Sequence, residues 1–303
     1  MISIIIVNYH VAKEIEQCIR SLARAATDVA YEVIIVDNST DEQERQSLSH
    51  LQSIIPHSRV KIIVNNENVG FGTACNVGAL QSSGEYICFL NPDVIIVDNV
   101  FPSLVSTLNV NRRNAVISPR QHSPNRWFDF SAGYFPSLIL EALNIFVIGR
   151  YIEAMIMNAM NTKSVHTVDW VMGAFMLIKR EIFMDIGMFD PQFFIYYEES
   201  DLCFRLQRSG YSVLYMPGMY IEHRGGVAGK RNYRFFTMHF YHSKLLFLKK
   251  SYRGSLKTAL MCETYAQLFA QLILWTVLFL PFPKKALQKI MGILDVIFTN
   301  THV

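Results

Sequence analysis

The sequence predicts an α/β fold built on a mostly parallel central sheet. Three observations carry this. Short β-branched apolar runs recur near residues 3, 32, 60 and 86; stretches with helical spacing separate them; and each run ends in a polar turn. Strand and helix alternating through short turns imply right-handed βαβ units.

Residues 3–8 (SIIIVN) read as a buried strand. Residues 12–25 follow with Ile15, Cys18, Ile19 and Leu22 on one helical face. Residues 32–37 (EVIIVD) form a second strand, 41–55 a helix, and 60–64 (VKIIV) a third strand. Residues 72–82 form a helix stopped by Ser83-Gly84, and 86–90 (YICFL) a fourth strand ending in NPD. In parallel sheets ligands sit at the carboxyl ends of the strands. Those ends carry Asn8, Asp37-Asn38, Asn65-Asn66 and Asn91-Pro92-Asp93, so polar residues collect along one edge.

The middle of the chain is less regular. Residues 136–160 are strongly apolar and read as helical, a cover for the acceptor side of a cleft. Residues 168–183 read as a strand with a glycine turn. Residues 213–215 and 220–222 read as two extended pieces leading to HRGG at 223–226.

The 303 residues suit one large domain with an appendage, and a composition 51% hydrophobic and 17% charged excludes disorder. The sequence opens MISIIIVNYH, without a basic leader or small-residue cleavage site, and its five cysteines are scattered. Cys75, Cys88 and Cys203 read as buried thiols in a reducing cytoplasm. Charge is divided unevenly: residues 1–222 carry about −7 and residues 223–303 about +10.

Two common nucleotide motifs fail. No GxxxxGK[ST] is present, and Gly70-Phe71-Gly72 is followed by Cys75 where GxGxxG needs glycine. Asp37, directly after a strand, suits hydrogen bonds from a base or ribose, and equally an Asx-turn or helix cap. Asp93 sits on a turn stiffened by Pro92, which suits one carboxylate ligand to Mg²⁺ or Mn²⁺, or a simple turn aspartate. His223, before two glycines, suits a metal or diphosphate contact, or a structural hydrogen bond.

Three acids, Glu198, Glu199 and Asp201, follow the apolar run FFIYY. Residues 202–208 read as a helix with Gly210 as its C-cap, so the acids fall at its N-terminus. There the macrodipole favours negative charge by ~0.3–1 kcal/mol each. That accounts for one or two of them. A carboxylate facing a cleft would act as general base on an alcohol if it stays ionised, and the dipole is expected to keep it so.

Taken together, IIIVNYH (4–10), VIIVDNST (33–40), NENVGFGTACNVGA (66–79), FLNPDV (89–94), DWVMGAFMLIKR (169–180), FDPQFFIYYEESDLCFRL (189–206) and HRGG (223–226) resemble the family-2 glycosyltransferases, and within them the bacterial rhamnosyltransferase-like group. The ordered set spans residue 2 to about residue 250. The resemblance implies a GT-A fold and inverting transfer of a sugar, with dTDP-rhamnose as the first donor to test, or a UDP- or GDP-sugar. It implies nucleotide contacts from Val7, Asn8, Asp37, Asn38, Asn68, Gly70, Asn76 and Asn91, and acceptor contacts from Trp170 and Gly173. It places a metal at Asp93 and His223 and the catalytic base at Glu199; Glu198 and Asp201 are candidate supporting acids and the alternative bases. Two departures stand out: the metal motif DxD appears as NPD, and the base position holds Glu where Asp is usual. A catalytically silent scaffold of the same fold is the competing class.

The expected organisation is a catalytic domain over 1–230, with a nucleotide half (1–98) and an acceptor half (99–230), followed by a basic, apolar helical extension over 231–303. Residues 265–283 are apolar but broken by Gln267, Gln271 and Thr276 and closed by Pro281 and Pro283, at the margin of the ~20 residues a span needs. An interfacial helix with Lys284, Lys285 and Lys289 on anionic headgroups is the preferred reading. A helical pair packing on the catalytic domain or in a homodimer is the other. Nucleic acid is not an expected partner, because the basic residues accompany large aliphatic surface. A peripheral protein at the cytoplasmic face of a bacterial inner membrane, extending a lipid-linked surface glycan such as O-antigen or capsule, is the resulting expectation.

Overall fold

The computed structural model describes residues 1–51, 59–124, 129, 131–145, 148–160, 163–225 and 232–298. In chain order the elements begin β1 (Ile2–Asn8), α1 (Ala12–Ala25), β2 (Tyr31–Asp37), α2 (Glu42–Leu51), β3 (Arg59–Val64), α3 (Phe71–Leu80) and β4 (Tyr86–Leu90). They continue through β5 (Val94–Ile95), α4 (Phe101–Val110), β6 (Asn114–His122), β7 (Ala132–Gly133), α5 (Leu138–Ile145) and α6 (Ile148–Ala159). Then come β8 (His166–Thr167), β9 (Trp170–Val171), β10 (Phe175–Lys179), α7 (Arg180–Asp185), α8 (Glu198–Arg208) and β11 (Ser212–His223). The chain closes with α9 (Tyr233–Ser251), α10 (Gly254–Val277) and α11 (Pro283–Phe298).

The main sheet runs β3-β2-β1-β4-β10-β6-β11-β5, with β8 on β11. The first four strands are parallel, β10 is reversed, and β6 and β11 again run with β4. The carboxyl ends of β1, β2, β4 and β11 therefore share one edge with the start of β10. Leu90, last in β4, faces Phe175, first in β10.

The sheet is buried on both faces. Ile2, Ile4 and Ile6 meet Ile15, Ile19 and Leu22 of α1 on one side, while Ile5 and Val36 meet Ala74 and Ala79 of α3 on the other. Each fully buried aliphatic side chain contributes ~1.5–3 kcal/mol. Gly78 permits the close approach of α3, since a Cβ there would lie 2.6 Å from Ile5 Cγ2.

Several boundaries differ from expectation. Helix α2 spans Glu42–Leu51, and the rest of the predicted 41–55 helix lies outside the described residues. The two extended pieces at 213–215 and 220–222 are one strand with a register shift between Met216 and Tyr220. Helix α8 begins at Glu198 and contains the acids in its first turn. Gly226 of HRGG lies outside the described residues. Strand β6, which the sequence reading left unassigned, lies between β10 and β11, and helix α4, likewise unassigned, precedes it.

The C-terminal helices form a unit with α5. Lys244 Nζ donates to Glu141 Oε2 at 2.5 Å and to Gln267 Oε1 at 3.1 Å, and Gln267 Nε2 donates to Glu141 O at 2.9 Å. These three buried polar residues join α9, α5 and α10. Arg234 and Asp295 join α9 to α11 at 2.6 and 2.9 Å. No helix among the described residues is long and apolar enough to cross a membrane. Lys244→Ala leaves the Glu141 carboxylate buried without its cation, and should cost ~3–5 kcal/mol in denaturant unfolding.

Candidate active site

On the donor side, the end of β1 meets the end of β2. Asn8 is fully buried, and its Nδ2 donates to Asp37 Oδ1 and Ser39 Oγ, each at 2.9 Å, and to Glu44 Oε2 at 3.2 Å. Asp37 Oδ1 also accepts from Ser39 N at 2.9 Å, the Asx-turn expected from DNST. Its Oδ2 is buried and has no hydrogen-bond partner among the described residues. A buried, unpartnered carboxylate oxygen is costly unless a ligand donates to it. Val7 packs its side chain into the core below this edge.

The next stretch is held by amides. Asn38 Nδ2 donates to Gly70 O at 3.2 Å and Asn68 Oδ1 at 3.3 Å, while its Oδ1 accepts from Asn65 Nδ2 at 2.7 Å. Asn68 Oδ1 accepts from Gly70 N at 3.1 Å. Gly70 adopts φ +84°, and a Cβ there would fall 2.4 Å from Phe194 O. Asn76 points elsewhere: it donates to Phe189 O at 2.7 Å and accepts from Phe189 N at 3.0 Å, so its amide is spent on fixing the 189–197 loop.

The 189–197 loop carries the acids to the same edge. Phe71 N donates to Phe194 O at 2.8 Å. A Cβ on Gly173 would lie 3.8 Å from both Glu199 Cβ and Phe71 Cε1, ordinary contact that sets Gly173 beside Glu199 and Phe71. Ala174 O accepts from Asn91 N at 2.9 Å. Asn91, Pro92 and Asp93 follow, and Asp93 Oδ1 lies 3.3 Å from His223 Nε2. Glu199, Asp93 and His223 thus belong to one continuous rim, linked through Gly173, Ala174 and Asn91. Trp170 stands back from it, with Nε1 donating to Tyr134 O at 3.0 Å and its ring pressed on Gly133. A groove of about 170 Å³ beside Asp93 is lined by Glu14, Gln17, Pro92, Ile95 and Arg224. A larger one of about 270 Å³ lies at the opposite edge around Met1, Ile2 and Tyr86, away from these carboxylates.

The acids separate electrostatically. Burial pushes Glu199 up to about 7 from an ordinary 4.5. That shift is worth about 3 kcal/mol, several times the helix-dipole contribution, so the expectation that the dipole keeps the acid fully ionised is overturned. Burial, reinforced by the charge of Glu199, holds Glu198 well above the carboxylate range. Its Oε2 has no partner and its Cβ lies against Gly72. Asp201 is an ion pair with Arg205 at 2.8 Å, and that guanidinium also donates to Ile186 O and Met188 O, each at 2.7 Å. The pair holds the 186–188 turn. Burial raises Asp93, but the hydrogen bond and charge of His223, with backbone N–H groups, outweigh it and leave the carboxyl below its ordinary value.

Asp93 and His223 fit a divalent ion. Cis ligands at ~2.1 Å in an octahedron lie ~3 Å apart, near the observed 3.3 Å. Among the described residues no cluster of three or more His, Cys, Asp or Glu could hold a metal, so phosphate and water oxygens would complete the shell. Sequence reasoning missed Glu44, which accepts from Asn8 Nδ2 and Ala12 N. It lies in the charged run EQER, whose composition reads only as helix surface.

At the carboxyl edge of this GT-A-type α/β sheet stand the Asp37 carboxylate, the Asp93–His223 pair and Glu199 in the first turn of α8. Residues 3–187 match the family model Glycosyl transferase family 2; the chain belongs to that family and is a glycosyltransferase. It is 25% identical to the rhamnosyltransferase WbbL of Escherichia coli K12, over 85% of this chain and 90% of that protein. It is 25% identical to an N-acetylglucosaminyl-diphospho-decaprenol L-rhamnosyltransferase of Mycobacterium tuberculosis, over 74% and 76%. The fold matches the mannosyltransferase PcManGT of Pyrobaculum calidifontis, solved with GDP-Man and Mn²⁺, at TM-score 0.63 and 14% identity over 99% of this chain and 87% of that one.

Glu198 generates a stability prediction. Its folded pKa is raised, so the native state keeps a proton that the unfolded chain releases above about 4.3. The contribution is fully present below that value and is lost as pH rises through the folded pKa. Glu198→Gln removes the linkage without changing shape. Its Tm advantage over wild type should widen between about pH 5 and pH 8; a constant gap in thermal melts contradicts the assignment.

Proposed function

We propose that the chain transfers rhamnose from dTDP-rhamnose, with inversion, to a hydroxyl of a lipid-linked bacterial surface glycan such as O-antigen or capsule. The sugar and lipid rest on the two rhamnosyltransferase relatives, one of them named for a diphospho-decaprenol. The observation that carries the mechanism is Glu199, in the first turn of α8 beside Gly173, with its carboxyl brought to about 7. A general base works best with a pKa near the operating pH.

In this reading the acceptor oxygen attacks the anomeric carbon and gives its proton to Glu199. The C–O bond to the diphosphate breaks on the opposite face, and the leaving group takes the electron pair. Asp37 Oδ2 accepts from the base or ribose, with Asn8 and Ser39 holding it in place. Asn38 and Asn68 shape the Gly70 turn along the donor. Asp93 and His223 would hold a divalent ion, which would supply charge neutralisation for the leaving diphosphate. Glu198 stays neutral beside Glu199, and Asp201 supports the turn through Arg205.

The extension fits a peripheral site at the cytoplasmic face of the inner membrane. At the α10–α11 turn Val277, Leu280 and Phe282 are 71%, 89% and 55% exposed, and Lys284 and Lys285 are exposed beside them. An apolar tip ringed by lysines matches an anionic headgroup layer.

With dTDP-rhamnose and N-acetylglucosaminyl-diphospho-polyprenol, turnover should rise with pH through about 7 as Glu199 loses its proton. Glu199→Gln should lower kcat by ~10²–10⁴ while donor binding persists; wild-type turnover in this variant, or transfer from UDP- or GDP-sugars instead, overturns the base or the donor respectively. Asp93→Ala should weaken donor binding with Mg²⁺ or Mn²⁺ in calorimetry.

For the tip, flotation with phosphatidylglycerol vesicles should carry the protein up at low salt, and Leu280→Glu with Phe282→Glu should leave it at the bottom. Equal flotation with neutral phosphatidylcholine vesicles rules out the lysine contribution.

A further inference from the structure

The family match ends at residue 187, before the acids and before α9. Between the acids and the rest of the edge lies an unusual backbone. Tyr196 and Tyr197 adopt φ +69° and +66°, two consecutive bulky residues in the left-handed region. Tyr197 is the residue before α8 and makes no side-chain cap. Such a conformation persists only where surrounding contacts over-determine it.

Those contacts come from α9. Ser243 Oγ donates to Ile195 O at 2.8 Å. His239 stacks on Phe194, with centroids 5.0 Å apart and planes at 27°. Phe236 and Phe240 flank Tyr196 at 5.2 and 6.1 Å. Phe240 and Phe247 flank Tyr197 at 5.5 and 5.6 Å. Every residue from 194 to 197 therefore has an α9 partner, and positions 236, 239, 240, 243 and 247 share one helix face. The same loop reaches α3 through Phe194 O and Phe71 N.

We propose that α9 is a positioning element of the transfer reaction: it holds residues 194–197 in their left-handed turn and so aims Glu199 at the acceptor oxygen. This rests on Glu199 being the base. Ser243 and Phe240 contact Ile195, Tyr196 and Tyr197 and act through the loop. The aromatic residues Phe236, Phe240 and Phe247 of α9 pack on this loop. Burial raises Glu198, Tyr196, Tyr197 and Cys203, and the charge of Glu199 adds to each rise, while the rise of Glu199 itself comes from burial. On α9, burial and the charge of His242 lower His239, and Lys244 is bound to Glu141.

The test uses the full chain with Ser243→Ala and Phe240→Ala. Amide hydrogen exchange over 194–199 should quicken in both, with exchange in β1–β4 unchanged. With dTDP-rhamnose and N-acetylglucosaminyl-diphospho-polyprenol, kcat should fall about ten- to hundredfold with donor KM unchanged. The pH at half-maximal rate should drop as the loosened loop admits water to Glu199. Phe240→Tyr should restore turnover. Unchanged exchange overturns the proposal, and so does quickened exchange with wild-type kcat. A fall in kcat, KM and Tm together, with the pH profile fixed, shows a merely structural role. If Glu199→Gln remains active, the base assignment fails instead, while exchange still decides whether α9 clamps the loop.

Discussion

The backbone N–H of Phe71 donates to the carbonyl of Phe194, and this bond sets where the acids stand. It joins the first turn of α3, on the donor side, to the loop that delivers Glu198 and Glu199. Gly70 is required at the junction because any side chain would collide with the same carbonyl. Asn76 repeats the tie one turn further on, through both backbone groups of Phe189. Two segments more than a hundred residues apart are thereby fixed to one another by main-chain groups, whose positions depend little on rotamers. The Gly173 face and the Asn91–Ala174 bond extend the same rim to Asp93.

Along that rim, environment sorts carboxyls of one chemistry into different states. Asp93 has an imidazole 3.3 Å away and sits below its ordinary pKa, ready to be an anion. Glu199 has burial and no cation, and sits near neutrality. Glu198 is more deeply enclosed and stays protonated. Asp201 is claimed by Arg205. In the proposed mechanism, pushing neighbouring titratable groups apart in this way separates the proton acceptor from the charge-bearing ligands. Burial decides the ordering, since its cost exceeds what a helix terminus returns.

The basic extension has two faces with different partners. Lys244, the most buried of its lysines, serves α5 and α10 through Glu141 and Gln267. Lys285 and Lys289 lie over the rings of Tyr233, Trp275 and Phe236. Net charge alone reads all of them as headgroup ligands. At the turn after α10, Leu280 and Phe282 stand in solvent beside Lys284.

Much of this was legible in the sequence because it is local. The β-branched runs, the face formed by Ile15, Cys18, Ile19 and Leu22, and the polar residue closing each strand follow from periodicities of two and 3.6 along the chain. They gave α1 its observed limits and placed Asn8, Asp37 and Asn91 at strand ends. The tertiary structure decided what depends on contacts between distant segments: the reversal of β10, the union of the β11 pieces, the withdrawal of Asn76 to Phe189, and the left-handed pair Tyr196–Tyr197 held by α9. A carboxyl's protonation state belongs to this second group, because desolvation is a property of everything packed around a residue and no window of sequence contains it.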